Sequence, residues 1–176
     1  RIGALLHATL SKVRRRARVG VLFDAFWDDR FCCAVVAAME RGETLGFGDG
    51  TLVFNATRAY PGFACPDGPA AILREVSERG RLRLNLDDRL VLKGYRLLAE
   101  GTHPELELSR FLTETAKFPH VPQLAGTLEY KDAQGQPSTL AILECYSKNQ
   151  GDARSHTLDY LERFLDAYRA GPEQPP

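Results

Sequence analysis

The spacing of apolar residues changes several times along this 176-residue chain. ALLHATLSKVRRR, residues 4–16, opens apolar, ends in charge and reads as a strand. In FDAFWDDRFCCAVVAAMERGETL, residues 23–45, Phe26, Trp27, Phe31, Val35, Val36 and Met39 recur at helical spacing. Asp28 or Asp29 caps that helix and Gly42 ends it; the aromatic stripe is core packing. GFGDGTLVFNATRAY, residues 46–60, is a hairpin that turns at Asp49-Gly50. PGFACPDGPA, residues 61–70, is rich in proline and other turn formers and marks a linker.

Beyond it the period settles. AAILREV (70–76), RLRLNL (81–86) and RLVLKGYRLL (89–98) alternate as three strands. EGTHPELELSRFLTETAKF (100–118) is amphipathic, with Leu106, Leu108, Phe111 and Leu112 facing inward. Pro104 falls at its first turn, where a missing N–H costs least. HVPQLAGTLEYKDAQGQPSTLAILECY (120–146) is a hairpin with DAQGQP as its loop. HTLDYLERFLDAYRA (156–170) is a last helix, with Leu158, Leu161, Phe164, Leu165 and Tyr168 on one face. The closing GPEQPP has no packing potential and reads as disordered. Three strands, a helix, two strands and a helix make an α+β layer with sequential antiparallel pairing.

Composition narrows the field. The chain carries 23 basic and 23 acidic side chains, for a formal net charge of zero, so no overall field draws in nucleic acid. The one basic cluster, Lys12, Arg14, Arg15, Arg16 and Arg18, lacks interleaved aromatics and reads as a solvated strand or helix end. Cys32, Cys33, Cys65 and Cys145 show no C-x-x-C spacing; they read as free thiols of a reducing, cytoplasmic compartment, with no zinc site. No run of about 18 apolar residues is present to span a membrane. The chain starts at Arg1 rather than Met, without a signal peptide, and reads as a piece of a longer protein.

The informative anomaly is Lys93, an ammonium in an apolar strand. It either snorkels to an edge or is held by an anion, because a buried unpaired ammonium is costly. Glu107 sits on the helix that follows. A strand lysine held by a carboxylate of the next helix is how kinases orient nucleotide phosphates. The histidines His7, His103, His120 and His156 are scattered, with His103 and His120 in loop or cap positions, and no Ser/His/Asp or Cys/His constellation is present.

RLVLKGYRLLAEGTHPELELSRFLTE, FPHVPQLAGTLEY and NQGDARSHTLDYLERFL, in that order, resemble bacterial maltokinases, and most of all the maltokinase portion of trehalose synthase fusion proteins. GVLFDAFWDDRFCCAVVAAMERGETLGFGDGTLVFNATRAY resembles their amino-terminal cap. The likeness implies an α+β fold: a partial cap subdomain over 1–66, a kinase-like amino lobe over 70–150 with a five-stranded antiparallel sheet and one helix, and 151–170 as a helix leading toward a missing carboxyl lobe. It implies transfer of the γ-phosphoryl group of ATP to maltose, giving maltose 1-phosphate, with Mg²⁺, beside a possible trehalose synthase domain that interconverts maltose and trehalose.

Residue by residue, the resemblance makes Lys93 the phosphate-contacting lysine and Glu107 its helix partner. It places Glu78 and Gly80 in the turn over the phosphates, and Glu144 and Tyr146 at the hinge bordering the adenine. It assigns no catalytic and no metal-ligating residue to this segment, because motifs such as HGDLHLGN and DFEG, which hold those groups in the family, are absent. The turn reads ERGRLR, residues 78–83, where the family carries a polar stretch like EQSNTS, and Arg154 stands where an aromatic is common. A kinase-like module that has lost nucleotide binding and serves as a scaffold is therefore the second expectation.

Overall fold

The computed structural model describes residues 8–63, 72–76, 82–149, 151, 153–169 and 171. Two compact units divide the chain, Arg1–Tyr146 and Ser147–Pro176.

The first unit is α+β and its sheets are antiparallel. β1 (Thr9–Arg15) and β2 (Arg18–Phe23) pair as a separate two-stranded ribbon. A short 3₁₀ turn (Ala25–Trp27) leads into α1 (Asp29–Arg41). Asp28 caps α1 by accepting hydrogen bonds from the amides of Arg30 and Phe31, and Gly42 ends it in the left-handed conformation at φ 62°. Phe26 and Trp27 thus precede the helix rather than lie on it. β3 (Thr44–Phe47) and β4 (Gly50–Ala56) form the expected hairpin. β5 (Ile72–Val76), β6 (Leu82–Leu86) and β7 (Leu90–Gly94) follow, then α2 (Pro104–Arg110) and a π turn (Phe111–Thr115), and finally β8 (Leu124–Lys131) and β9 (Pro137–Cys145).

The main sheet has seven strands in the order β3-β4-β8-β9-β7-β6-β5, not five. The five expected strands are all there, and β4 adds to their free side by pairing with β8 from Thr51↔Lys131 to Ala56↔Gly126. Strands from either side of the expected 66–70 boundary therefore share one sheet. The reason is packing: β4 is an amphipathic strand whose Phe54 lies opposite Leu128 and whose hydrogen-bonding edge meets that of β8.

The two faces of this sheet differ chemically. One buries Leu82, Leu84, Leu86, Leu90, Leu92 and Leu143 with Cys32, Val35, Val36 and Met39 of α1 in a continuous apolar core. Phe26 closes over Gly94 so tightly that an added Cβ there would lie 2.6 Å from its ring. The other face carries α2, and its apolar content is small: Leu106, Leu124 and Ile142, with Tyr95 against them. Of the four apolar residues expected inward on the 100–118 helix, only Leu106 is buried; Leu108 and Phe111 are exposed. Leu108 lies two residues from Leu106 and so on the opposite side of α2, and the π turn that follows α2 shifts the phase of Phe111.

The expectation of four free thiols fails at Cys33, which is disulfide-bonded. Cys32 and Cys145 are free, as expected. Burial raises the Cys32 thiol to a pKa of about 11.

In the second unit, α3 (Ala153–Arg169) spans the expected final helix. No residue of it is buried, and Leu158, Leu161, Phe164, Leu165 and Tyr168 are all exposed. No helix among the described residues is long and apolar enough to cross a membrane.

Candidate functional site

Side chains opposite one another in an antiparallel pair share a face, and alternate residues along a strand return to it. The pairing Val91↔Glu144 and Lys93↔Ile142 puts Val91, Lys93, Ile142 and Glu144 on the α2 side of the sheet. Arg83 lies opposite Lys93 on β6 and extends the same row into solvent. Lys93 therefore does not reach an open edge. It sits on β7, an interior strand, under the first turn of α2.

Its ammonium is held by two carboxylates. Lys93 Nζ lies 2.8 Å from Glu105 Oε1 and 2.7 Å from Glu144 Oε2. The three side chains differ in exposure: Lys93 retains 24% of its accessible surface, Glu105 30% and Glu144 only 7%. Each acid also accepts a hydrogen bond from a hydroxyl. Tyr95 Oη donates to Glu105 Oε2 at 2.7 Å, and Ser109 Oγ donates to Glu144 Oε1 at a long 3.4 Å. Tyr95 is itself stacked on His103, with ring centroids 4.1 Å apart.

Local chain chemistry sets this geometry. Pro104 opens α2 and His103 caps it, its Nδ1 accepting from the Glu105 amide at 3.2 Å. The His103 amide in turn donates to Thr139 Oγ1 at 3.0 Å, and the Gly101 amide to Pro137 O at 2.8 Å, which pins the helix start to β9. With the phase fixed, Leu106 turns to the sheet. Glu105 and Ser109, four residues apart, lie on one side of it, and Glu107 lies on the other.

Lys93 is thus paired as expected, but Glu107 is not its partner. Two residues along a helix turn the side chain by about 200°, which carries Glu107 away from the lysine. It lines a shallow groove with Thr102, Arg110, Phe111 and Thr115. Arg110 reaches Glu129 of β8 at 3.6 Å. Glu144 does join the site, through its buried carboxylate on Lys93. Tyr146 lies just beyond β9, half-buried, its amide donating to Arg89 O at 2.8 Å. Glu78 and Gly80 lie outside the described residues.

Sequence reasoning missed Glu105, Tyr95 and Ser109 as members of this cluster, and the pairing role of Glu144. A signal for Glu144 was present: AILEC places an acid in an apolar strand, just as LVLKG places a base in one. Two opposite charges stranded in two apolar strands are natural partners.

Among the described residues no group of His, Cys, Asp and Glu is arranged to hold a metal ion. No protein-family model matches the chain, and no curated protein matches it.

Proposed function

We propose that this chain is the cap and ATP-facing lobe of a maltokinase-type sugar kinase whose parent protein transfers the γ-phosphoryl group of ATP to maltose. The observation that carries the reading is the Lys93–Glu105 pair at 2.8 Å: a lysine on the third strand of a strand–strand–strand–helix–strand–strand order, met by an acid of the helix that follows. In protein kinases a lysine in that place contacts nucleotide phosphates, and positioning with charge stabilisation supplies most of the catalysis. The resemblance of the sequence blocks to maltokinases supplies the sugar.

The described residues fit part of this task. Lys93 offers a partly exposed ammonium, and exposed Arg83 stands opposite it on β6. They offer no magnesium cluster. On this reading the metal ligands and the carboxylate that accepts the sugar proton belong to a carboxyl lobe of the parent chain, and this segment alone is inactive. Mg²⁺ when bound would neutralise charge between the terminal phosphates.

In the parent protein, Lys93→Ala should abolish maltose-dependent ATP consumption at a temperature where circular dichroism shows the destabilised variant still folded. Turnover that survives the substitution refutes the assignment.

A second reading has its own observation. The lysine is already met by two carboxylates, which compete with a triphosphate for its ammonium. Together with the ERGRLR turn, this favours a kinase-like module kept as a scaffold or interdomain contact, for example beside a trehalose synthase domain. Failure of the parent protein to bind MgATP, with maltose kinase activity absent, would select it.

A further inference from the structure

The β1–β2 ribbon is a sheet of its own, with no third strand among the described residues, and every residue from Leu10 to Gly20 is exposed. A two-stranded ribbon with no covered face is marginal by itself. Its charge is one-sided as well. Residues 9–23 hold Lys12, Arg14, Arg15, Arg16 and Arg18 and no acid, in a chain whose formal net charge is zero, so the remainder is net acidic. Among the described residues none of these five cations meets a carboxylate.

The pairing register sorts the side chains. Lys12 and Arg14 lie opposite Val21 and Val19 and share one face with them; Val13 and Arg15 lie opposite Gly20 and Arg18 on the other. Cations and aliphatic groups thus stand side by side, and Val13, Val19 and Leu22 are exposed. Three properties coincide on the outer edge of β1: backbone groups that meet no neighbouring strand among the described residues, cations on both faces, and Val13 between them. A polynucleotide would answer only the cations. A bilayer would answer cations and aliphatic groups but not a strand edge. A second copy would set cation against cation, the usual device that keeps edges apart. An extended acidic segment answers all three.

We propose that the outer edge of β1 is a docking rail for an extended acidic segment of a partner protein. The segment adds as a further strand, with carboxylates against Lys12, Arg14 and Arg15 and an aliphatic side chain against Val13, and gives the ribbon the strand it lacks. The rail is separate from Lys93 and holds or falls independently of the kinase reading.

The test is fluorescence anisotropy of the full chain with a fluorescein-labelled peptide, Thr-Glu-Ile-Glu-Glu-Val-Thr, at low salt. The peptide should bind, and hydrogen exchange should slow at amides of β1. Replacing its isoleucine and valine by proline keeps the charge but blocks strand pairing, and should abolish binding. Lys12→Gln with Arg14→Gln should weaken binding roughly three- to tenfold, the equivalent of two partly exposed ion pairs, whereas Arg18→Gln, on β2, should change it by less than about twofold. All three positions are exposed, and Trp27 fluorescence checks that each variant is folded. The rail is refuted if the peptide does not bind, if the proline peptide binds equally well, or if Arg18→Gln costs as much as the double variant. Tighter binding of a DNA duplex, or of phosphatidylserine–phosphatidylcholine vesicles, lost in the double variant, would also overturn it and assign the ribbon to that polyanion instead.

Discussion

Removing the ammonium of Lys93 should destabilise the fold whether or not it ever meets a nucleotide. Lys93→Met keeps much of the aliphatic stem and deletes the charge. Glu105 tolerates the loss, because it is partly exposed and keeps Tyr95. Glu144 does not: at 7% exposure its carboxylate would be left with one long hydrogen bond from Ser109. Breaking a buried ion pair by deleting one partner costs about 3–5 kcal/mol. Because Lys93 itself is 24% exposed, the low end applies, about 3 kcal/mol. For a folding unit of this size that is a fall in Tm of roughly 10 °C, or a shift of roughly 1.5 M in a urea midpoint. Trp27 is the only tryptophan and packs against the core of the first unit, so its fluorescence follows the relevant transition. The control is the double variant Lys93→Met with Glu144→Leu, which replaces the pair by apolar groups beside Val91, Leu124 and Ile142. It should recover most of the loss, since such replacements are often neutral. A single variant within about 0.5 kcal/mol of wild type would show that the pair behaves as a surface one. A double variant no better than the single would show that the cost lies in packing rather than in the stranded charge.

Further outcomes follow from other contacts. Gly94→Ala should cost about 1–3 kcal/mol in the same urea assay, because the new methyl meets the Phe26 ring at 2.6 Å; pairing it with Phe26→Leu should return part of that loss. Arg74→Ala should destabilise by about 2 kcal/mol, since the guanidinium donates to Phe26 O at 3.1 Å, pairs with Asp29 and lies over the Trp27 ring at 5.7 Å. Its loss should also change Trp27 emission in the folded state. The buried thiol of Cys32 resists alkylation in the native protein at pH 8, reacting only on unfolding, as peptide mass mapping after a timed iodoacetamide pulse would show. Its folded pKa of about 11 stands above the unfolded value of 9.0, so the folded state holds the proton more tightly. The associated stability is fully present below pH 9.0 and is lost as pH rises toward about 11. Cys32→Ala should flatten that part of the pH profile.

Local features of the fold were legible where one residue type dictates backbone geometry. Asp28, Gly42 and Pro104 each mark an element boundary where their chemistry requires; the hairpin turn expected at Asp49-Gly50 falls one residue earlier, at Gly48-Asp49, because Gly48 takes the left-handed conformation at φ 63° and Gly50 already opens β4. The strand count was not legible, because the pairing of β4 with β8 joins residues 51–56 to 126–131 across an intervening helix and three strands. Nothing local in either strand names the other. The candidate site was half legible. Lys93 announced itself by being polar in an apolar strand, and its need for an acid followed from desolvation alone. Choosing the acid required the phase of a helix of seven residues. That phase is set by His103, Pro104 and Leu106 acting together with β9, so counting along PELEL could not decide between Glu105 and Glu107. The disulfide at Cys33 was hidden for a similar reason: adjacent cysteines without a spacing motif do not say which of the two is paired.

The shared sheet changes what the first sixty residues are for. A chain trimmed to begin at residue 70 would unzip β4 from β8 and leave the whole outer rim of that strand, Leu124 to Lys131, with unanswered amides and carbonyls. It would also lift α1 away and open the leucine-rich floor beneath to water. Such a trimmed lobe should stick to itself, rim to rim, rather than fold as a tidy module. In this protein the strands and helix before residue 57 are structural masonry for the strands that follow, and the two can be inherited, cut or grafted only as one piece.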